Sequence, residues 1–166
     1  RPPMRRAAVI GAGSWGTAVA VLLARGGLEV QLGTRTPDQA EAIATARENE
    51  RYLPGVRLPE AIEVRPSSQI ELAGIDLVCL AVPSASYPQA VGALSDRIGR
   101  RAAILLLAKG LIAPKGQLPS EYVTERIKTR GISCLGGPAH AREAVSGSAA
   151  LVLGTSDEDL KAQLGN

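Results

Sequence analysis

The chain has 166 residues, 45% of them hydrophobic but only 2% aromatic, with no phenylalanine and a formal net charge of +3. That is the length of one domain with an aliphatic core. The scattered basic residues, never interleaved with aromatics, argue against nucleic-acid binding, and no apolar run reaches the roughly 18 residues that span a membrane.

The start, Arg1-Pro2-Pro3-Met4-Arg5-Arg6, is basic but lacks an apolar h-region. It does not read as a signal peptide, and a cytoplasmic location is expected. The first predicted strand is Ala7–Ile10. Directly after it comes Gly11-Ala12-Gly13-Ser14-Trp15-Gly16, and then an apolar helical pattern from about Trp15 to Arg25, ended by Gly26-Gly27. A G-x-G-x-x-G run between a strand and a helix is the dinucleotide fingerprint. Gly11 permits the tight turn, Gly13 lets backbone approach a pyrophosphate, and Gly16 lets the helix pack close to the sheet. The free N–H groups at the helix start then face two phosphates. Ser14 can donate to a phosphate oxygen or act as a plain N-cap. Trp15 can cover the cofactor or pack inward.

A second strand is predicted over Glu29–Leu32, followed by Gly33-Thr34-Arg35. An NAD enzyme usually carries Asp or Glu at this tip to bind the ribose 2′-hydroxyl. Here Thr34 and Arg35 can meet a 2′-phosphate, so NADP is preferred over NAD, unless Arg35 merely stacks or points to solvent. Thr36 as N-cap, Pro37 at N1 and Gln39 as capping-box partner open a helix ending near Arg47. Asn49 to Pro59, broken by Pro54-Gly55, reads as a loop. Val64 belongs to a short strand, and Ser67–Leu72 to a brief helical turn.

Asp76–Val82 is a buried strand stopped by Pro83, and Pro83 at its end can touch the cofactor edge. Tyr87–Ile98 is helical. Ala102–Ala108 is another buried strand, and Lys109-Gly110 follows at once, so Lys109 faces the ligand crevice or snorkels to water. Leu118–Lys128 is an amphipathic helix with Leu118, Tyr122 and Val123 on one side. Ile132–Leu135 is a strand leading into Gly136-Gly137-Pro138, and Ala149–Leu153 is the last strand. A final helix starts at Thr155. Strands alternating with helices give an α/β, Rossmann-type, doubly wound and mostly parallel sheet with helices on both faces. Cys79 and Cys134 sit in apolar strand-like runs and are expected to be buried, inert thiols. No Cys/His spacing suggests a metal. His140, the single histidine, tempts as a general base, but without an Asp or Ser partner it is more often structural.

Five motifs in order resemble a known family: Gly11 to Ala18, Asn49 with Tyr52-Leu53-Pro54-Gly55-Val56, Ala81-Val82-Pro83-Ser84, Ala108-Lys109-Gly110-Leu111, and Gly137-Pro138-Ala139-His140-Ala141. Together they look like bacterial NAD(P)-dependent sn-glycerol-3-phosphate dehydrogenase, over essentially the whole chain. The resemblance implies that residues 1–166 are the dinucleotide-binding domain of an oxidoreductase. That enzyme interconverts dihydroxyacetone phosphate and glycerol 3-phosphate by hydride transfer, for glycerophospholipid synthesis. It implies that Ser14, Trp15, Arg35 and Ala141 line the nicotinamide cofactor, NADP or NAD. It also implies that Lys109 touches cofactor and substrate, and that Gly137 and position 139 meet the substrate phosphoglycerol.

Position 139 is commonly a hydroxyl residue in the family, and Ala139 has lost that hydrogen bond. The family's proton-transferring Lys lies in a C-terminal helical domain absent from these residues, so no catalytic residue is assigned within them and the chain alone is expected to be inactive. Partners are expected to be a small phosphate substrate, that helical domain, and a second copy in a homodimer. Another two-domain dehydrogenase of β-hydroxyacid or ketopantoate type shares the glycine turn, as does a non-catalytic nucleotide sensor. Neither would be expected to share the motifs at 108–111 and 137–141.

Overall fold

The apolar run ahead of the glycine turn forms β1 (Arg6–Ile10), and its alternation sets the layering. Ala7 and Val9 face one side of the sheet, Ala8 and Ile10 the other, and all four are buried. A strand buried on both faces belongs in the middle of a parallel sheet covered by helices. A computed structural model has that arrangement; it describes residues 3–108, 110–136, 141–146 and 152–155.

After β1 come α1 (Ser14–Arg25), β2 (Glu29–Thr34), α2 (Pro37–Ala46), β3 (Glu48–Asn49), β4 (Leu53–Arg57) and β5 (Ile62–Pro66). Then follow β6 (Leu77–Leu80), α3 (Tyr87–Leu94), β7 (Ala103–Leu106), α4 (Pro119–Arg126), β8 (Gly131–Gly136), α5 (Ala141–Ser146) and β9 (Val152–Thr155). The main sheet runs β5-β2-β1-β6-β7-β8-β9, parallel except for β9, which lies antiparallel to β8. The chain winds outward from β1 through β2 to β5, then restarts beside β1 at β6 and winds the other way. This is the doubly wound Rossmann-type sheet read from the sequence, with its topological switch between β1 and β6. One apolar cluster joins α1 and α5 to Val9, Leu32, Cys79 and Leu105; a second joins α3 and α4 to Ile10, Leu80, Ile104 and Leu106.

Several element ends differ from the sequence reading. The expected loop over Asn49–Pro59 is instead an antiparallel pair, β3 with β4, outside the main sheet. Pro54 and Gly55 read as breakers, but a two-stranded ribbon has only edges, and an edge tolerates proline. β2 runs two residues further than expected because Gly33 and Thr34 find partners in Arg65 and Pro66 of β5. α3 ends at Leu94 because the amides of Arg97 and Ile98 both bond to the Leu94 carbonyl, at 2.9 and 3.1 Å, which tightens the last turn and closes the helix.

Leu118 caps α4 from outside the helix, where it is 53% exposed and not on the packed side with Tyr122 and Val123. Cys134, expected inside, is exposed at the carboxyl end of β8; Cys79, in the middle of the sheet, is buried as expected. The last strand lies later than Ala149–Leu153 and takes in Thr155, the expected helix start, because residues 152–155 pair with 133–136 of β8. The rest of that expected helix lies outside the described residues. No helix among the described residues is long and apolar enough to cross a membrane.

Candidate dinucleotide site

The carboxyl ends of β1, β6 and β7 form one rim, because the sheet's hydrogen bonding continues past the strands. The amide of Gly11 donates to the Gly33 carbonyl (3.0 Å), that of Ala81 to Ile10 (2.8 Å) and that of Leu107 to Leu80 (3.1 Å). Gly11 turns the chain upward at φ +115°, and a Cβ there would sit 2.6 Å from the Ala81 carbonyl oxygen. A Cβ on Gly16 would collide with the Gly11 carbonyl and lie 3.0 Å from the Ala81 methyl. These two glycines let α1 close onto the strand ends. Gly13 is different. It is the N-cap of α1, in extended conformation, and nothing lies within 4 Å of the Cβ it lacks. A side chain at Gly13 would therefore meet open space, and the first backbone N–H groups of α1 have no partner within the helix.

Ser14 donates its hydroxyl hydrogen to the Tyr52 carbonyl at 2.7 Å, so in this state the hydroxyl braces the β3–β4 hairpin. Trp15 is half-buried and packs against the α1 cluster. On the other side of the hairpin, buried Asn49 donates from Nδ2 to the Ala12 carbonyl and to Thr17 Oγ1, both at 2.9 Å, and its Oδ1 accepts the Tyr52 amide at 3.3 Å. The resemblance placed Asn49 and Tyr52 in a motif but gave neither a role. Nothing in the local sequence signals that Asn49 reaches a turn 37 residues away.

At the tip of β2 the two expected 2′-phosphate groups separate. Thr34 is buried, and its hydroxyl donates to the Thr36 carbonyl at 2.8 Å, so it is spent within the turn. Arg35 is exposed. Gln39 completes only half of the expected capping box. The Thr36 hydroxyl accepts the Gln39 amide, but the Gln39 side chain reaches back to the Arg35 amide at 3.2 Å and so fixes the backbone of Arg35. An open groove of about 630 Å³ runs from Arg35 across α2 to Arg51 and Tyr52. The Arg51 guanidinium lies 5.1 Å from the centre of the Tyr52 ring.

Exposed Pro83 stands at the end of β6, beside Ser84. The Ser84 hydroxyl accepts the Gly110 amide at 3.1 Å and joins the turn after β6 to the turn after β7. Lys109, Gly137, Ala139 and His140 lie outside the described residues. Ala141 opens α5 and is buried against the α1 cluster. Two titratable groups are buried in the core. Burial pushes the Cys79 thiol up to about 12 and raises the Tyr87 phenol, so both stay neutral at physiological pH. Among the described residues no three His, Cys, Asp or Glu side chains gather into a metal site.

The family described as "NAD-dependent glycerol-3-phosphate dehydrogenase N-terminus" matches residues 6–161. The chain is 42% identical over 155 residues to a glycerol-3-phosphate dehydrogenase [NAD(P)+] of Deinococcus radiodurans, covering 93% of this chain and 45% of that protein. It is 40% identical over 139 residues to the protein of the same name from Chlorobium limicola, covering 82% of this chain and 42% of that protein. The crystal structure of a glycerol-3-phosphate dehydrogenase from Coxiella burnetii superposes with a TM-score of 0.90 at 28% identity, over 99% of this chain and 52% of that one. The chain thus spans about half the length of the relatives it matches.

Proposed function

Since this chain belongs to the NAD-dependent glycerol-3-phosphate dehydrogenase family, whose N-terminal part it matches, we propose that it is the dinucleotide-binding domain of an oxidoreductase that interconverts dihydroxyacetone phosphate and sn-glycerol 3-phosphate. The observation that carries this reading is the glycine turn. Gly11 and Gly16 are sterically required, while Gly13 is open toward the α1 N-terminus. That combination leaves room for a pyrophosphate where the helix dipole favours negative charge.

The bound reduced nicotinamide supplies a hydride, and the balanced reaction also consumes one proton at the carbonyl oxygen. In this reading Gly11, Gly13, Ser14, Trp15 and Gly16 hold the pyrophosphate end, with Ser14 acting through its backbone N–H. Pro83 and Ala141 border the nicotinamide side. Arg35 meets the 2′-phosphate, which makes NADP the preferred cofactor over NAD. Lys109 contacts both cofactor and substrate, and Gly137 and Ala139 meet the phosphoglycerol. The proton-transferring lysine comes from a helical domain beyond these residues. The enzyme acts in the cytoplasm, and a homodimer is its working form.

The test is turnover by the enzyme carrying this domain, with NADPH or NADH and a panel of carbonyl substrates. Dihydroxyacetone phosphate is expected to be reduced, with NADPH favoured. Reduction of ketopantoate or a β-keto acid in its place overturns the substrate assignment.

A further inference from the structure

Asn49 is 2% exposed, although it sits at the end of a two-residue strand in a polar segment. A buried amide is costly unless its hydrogen-bonding positions are used. Here both kinds of position are used, toward the Ala12 carbonyl, Thr17 Oγ1 and the Tyr52 amide. The Ala12 contact is the informative one. Ala12 lies between Gly11 and Gly13, which have no side chains to hold the peptide units of the turn. In a trans peptide the carbonyl of one residue and the N–H of the next point in opposite directions. Holding the Ala12 oxygen inward, at 2.9 Å from Asn49 Nδ2, therefore aims the Gly13 N–H the opposite way, away from Asn49. A peptide flipped the other way would present a carbonyl oxygen to an incoming phosphate and remove one of its donors.

Resting on the dinucleotide reading above, we propose that Asn49 is a positioning residue of the anion site, which fixes the Ala12–Gly13 peptide so that its N–H faces the phosphates. It acts from outside the sheet. The hairpin that carries it is tied to the start of α1 on its other side by the Ser14 hydroxyl, bonded to the Tyr52 carbonyl. Thr17, fully buried in α1, takes the second Asn49 hydrogen and holds the amide plane in register with Ala12.

The test compares Asn49→Ala, Asn49→Asp and Thr17→Val in the enzyme carrying this domain. Asn49→Asp keeps the volume and the acceptor for Tyr52 but loses both donors. The dissociation constant for NADPH is expected to rise about tenfold or more in both Asn49 variants and by a smaller factor in Thr17→Val, which loosens the Asn49 amide but leaves its bond to the Ala12 carbonyl. In the ligand-free protein, 15N relaxation at Gly13 should show its order parameter falling from about 0.85 toward 0.6 in Asn49→Asp, with β1 and β6 unchanged. A purely space-filling Asn49 would leave Asn49→Asp close to wild type, and an unaltered Gly13 amide would overturn the proposal. Should Asn49→Asp fail to fold, Asn49→Ser is read in the same two ways. A wild-type protein that binds neither NADPH nor NADH overturns the dinucleotide reading, whereas the Gly13 relaxation judges Asn49 separately.

Discussion

Ser84 and Gly110 form a latch between two turns: the serine hydroxyl accepts the glycine amide at 3.1 Å, and a Cβ on Gly110 would stand 2.9 Å from that same oxygen. The hydroxyl thus bonds to residue 110, and a side chain there would have to push it aside. Ser84→Ala should cost about 1 kcal/mol of stability, an ordinary hydrogen bond. Gly110→Ala should cost more while Ser84 is present. In the double variant the steric conflict is gone, so its destabilisation should fall short of the sum by on the order of 1 kcal/mol. Denaturant midpoints of the four proteins measure this, and strict additivity would refute the latch.

The glycine turn makes a sharper prediction, because its glycines are required for different reasons. Gly13→Ala meets open space with an ordinary φ of −79°. Its melting temperature should stay near wild type, while dinucleotide affinity falls by about tenfold or more as the methyl enters the phosphate space. Gly16→Ala drives a methyl into the Gly11 carbonyl and should destabilise the fold by roughly 3 kcal/mol or more. Calorimetry on one variant and nucleotide titration on the other separate the two roles.

Arg35 is exposed at the tip of β2, and its backbone is fixed by Gln39. Of the two groups expected here, Thr34 is spent internally and the Arg35 guanidinium is the one left to read a 2′-phosphate. Arg35→Ala should weaken NADPH by about 10- to 100-fold, the worth of a charge-assisted hydrogen bond, and leave NADH nearly unchanged. Parallel titrations with both nucleotides decide it. Equal losses would mean that Arg35 contacts a part common to the two.

Burial pushes the Cys79 thiol up to about 12 from its ordinary 9.0. Between those values the unfolded chain loses the thiol proton and the folded one keeps it. The native state then binds more protons, and stability falls as pH rises. The contribution is fully present below pH 9 and declines through the window to 12, with a limiting slope of about 1.4 kcal/mol per pH unit. Subtracting the profile of Cys79→Ala isolates it from other alkaline titrations. A flat difference between pH 9 and 12 would contradict the assignment.

The parts of the fold that were legible in the sequence are those whose partners are near in the chain or imposed by a pattern. The strand, glycine turn and helix from Arg6 to Arg25 follow from local apolar periodicity and steric need. The buried strands around Cys79 and Leu105 announce themselves as continuous apolar runs. The hairpin at 48–57 was not legible, because Pro54 and Gly55 signal a break unless the strand is known to be an edge. The Asn49 contacts to Ala12 and Thr17 span 37 and 32 residues, and no local period encodes them. The role of Thr34 is hidden for a related reason. Its position at a strand tip is visible in the sequence, but the inward turn of its hydroxyl toward Thr36 depends on how the next helix starts.

The rim over the strand ends is assembled from main-chain groups: Gly11 to Gly33, Ala81 to Ile10, Leu107 to Leu80. Such bonds do not depend on which side chain each residue carries. Residues such as Val82 and Ala108, half-buried against the cluster under α3 and α4, can therefore be exchanged for others of similar size while the ledge keeps its height. The scaffold is a fixed bench whose covering can change, with Gly11 and Gly16 as the parts of the bench that no side chain can occupy without shifting the backbone.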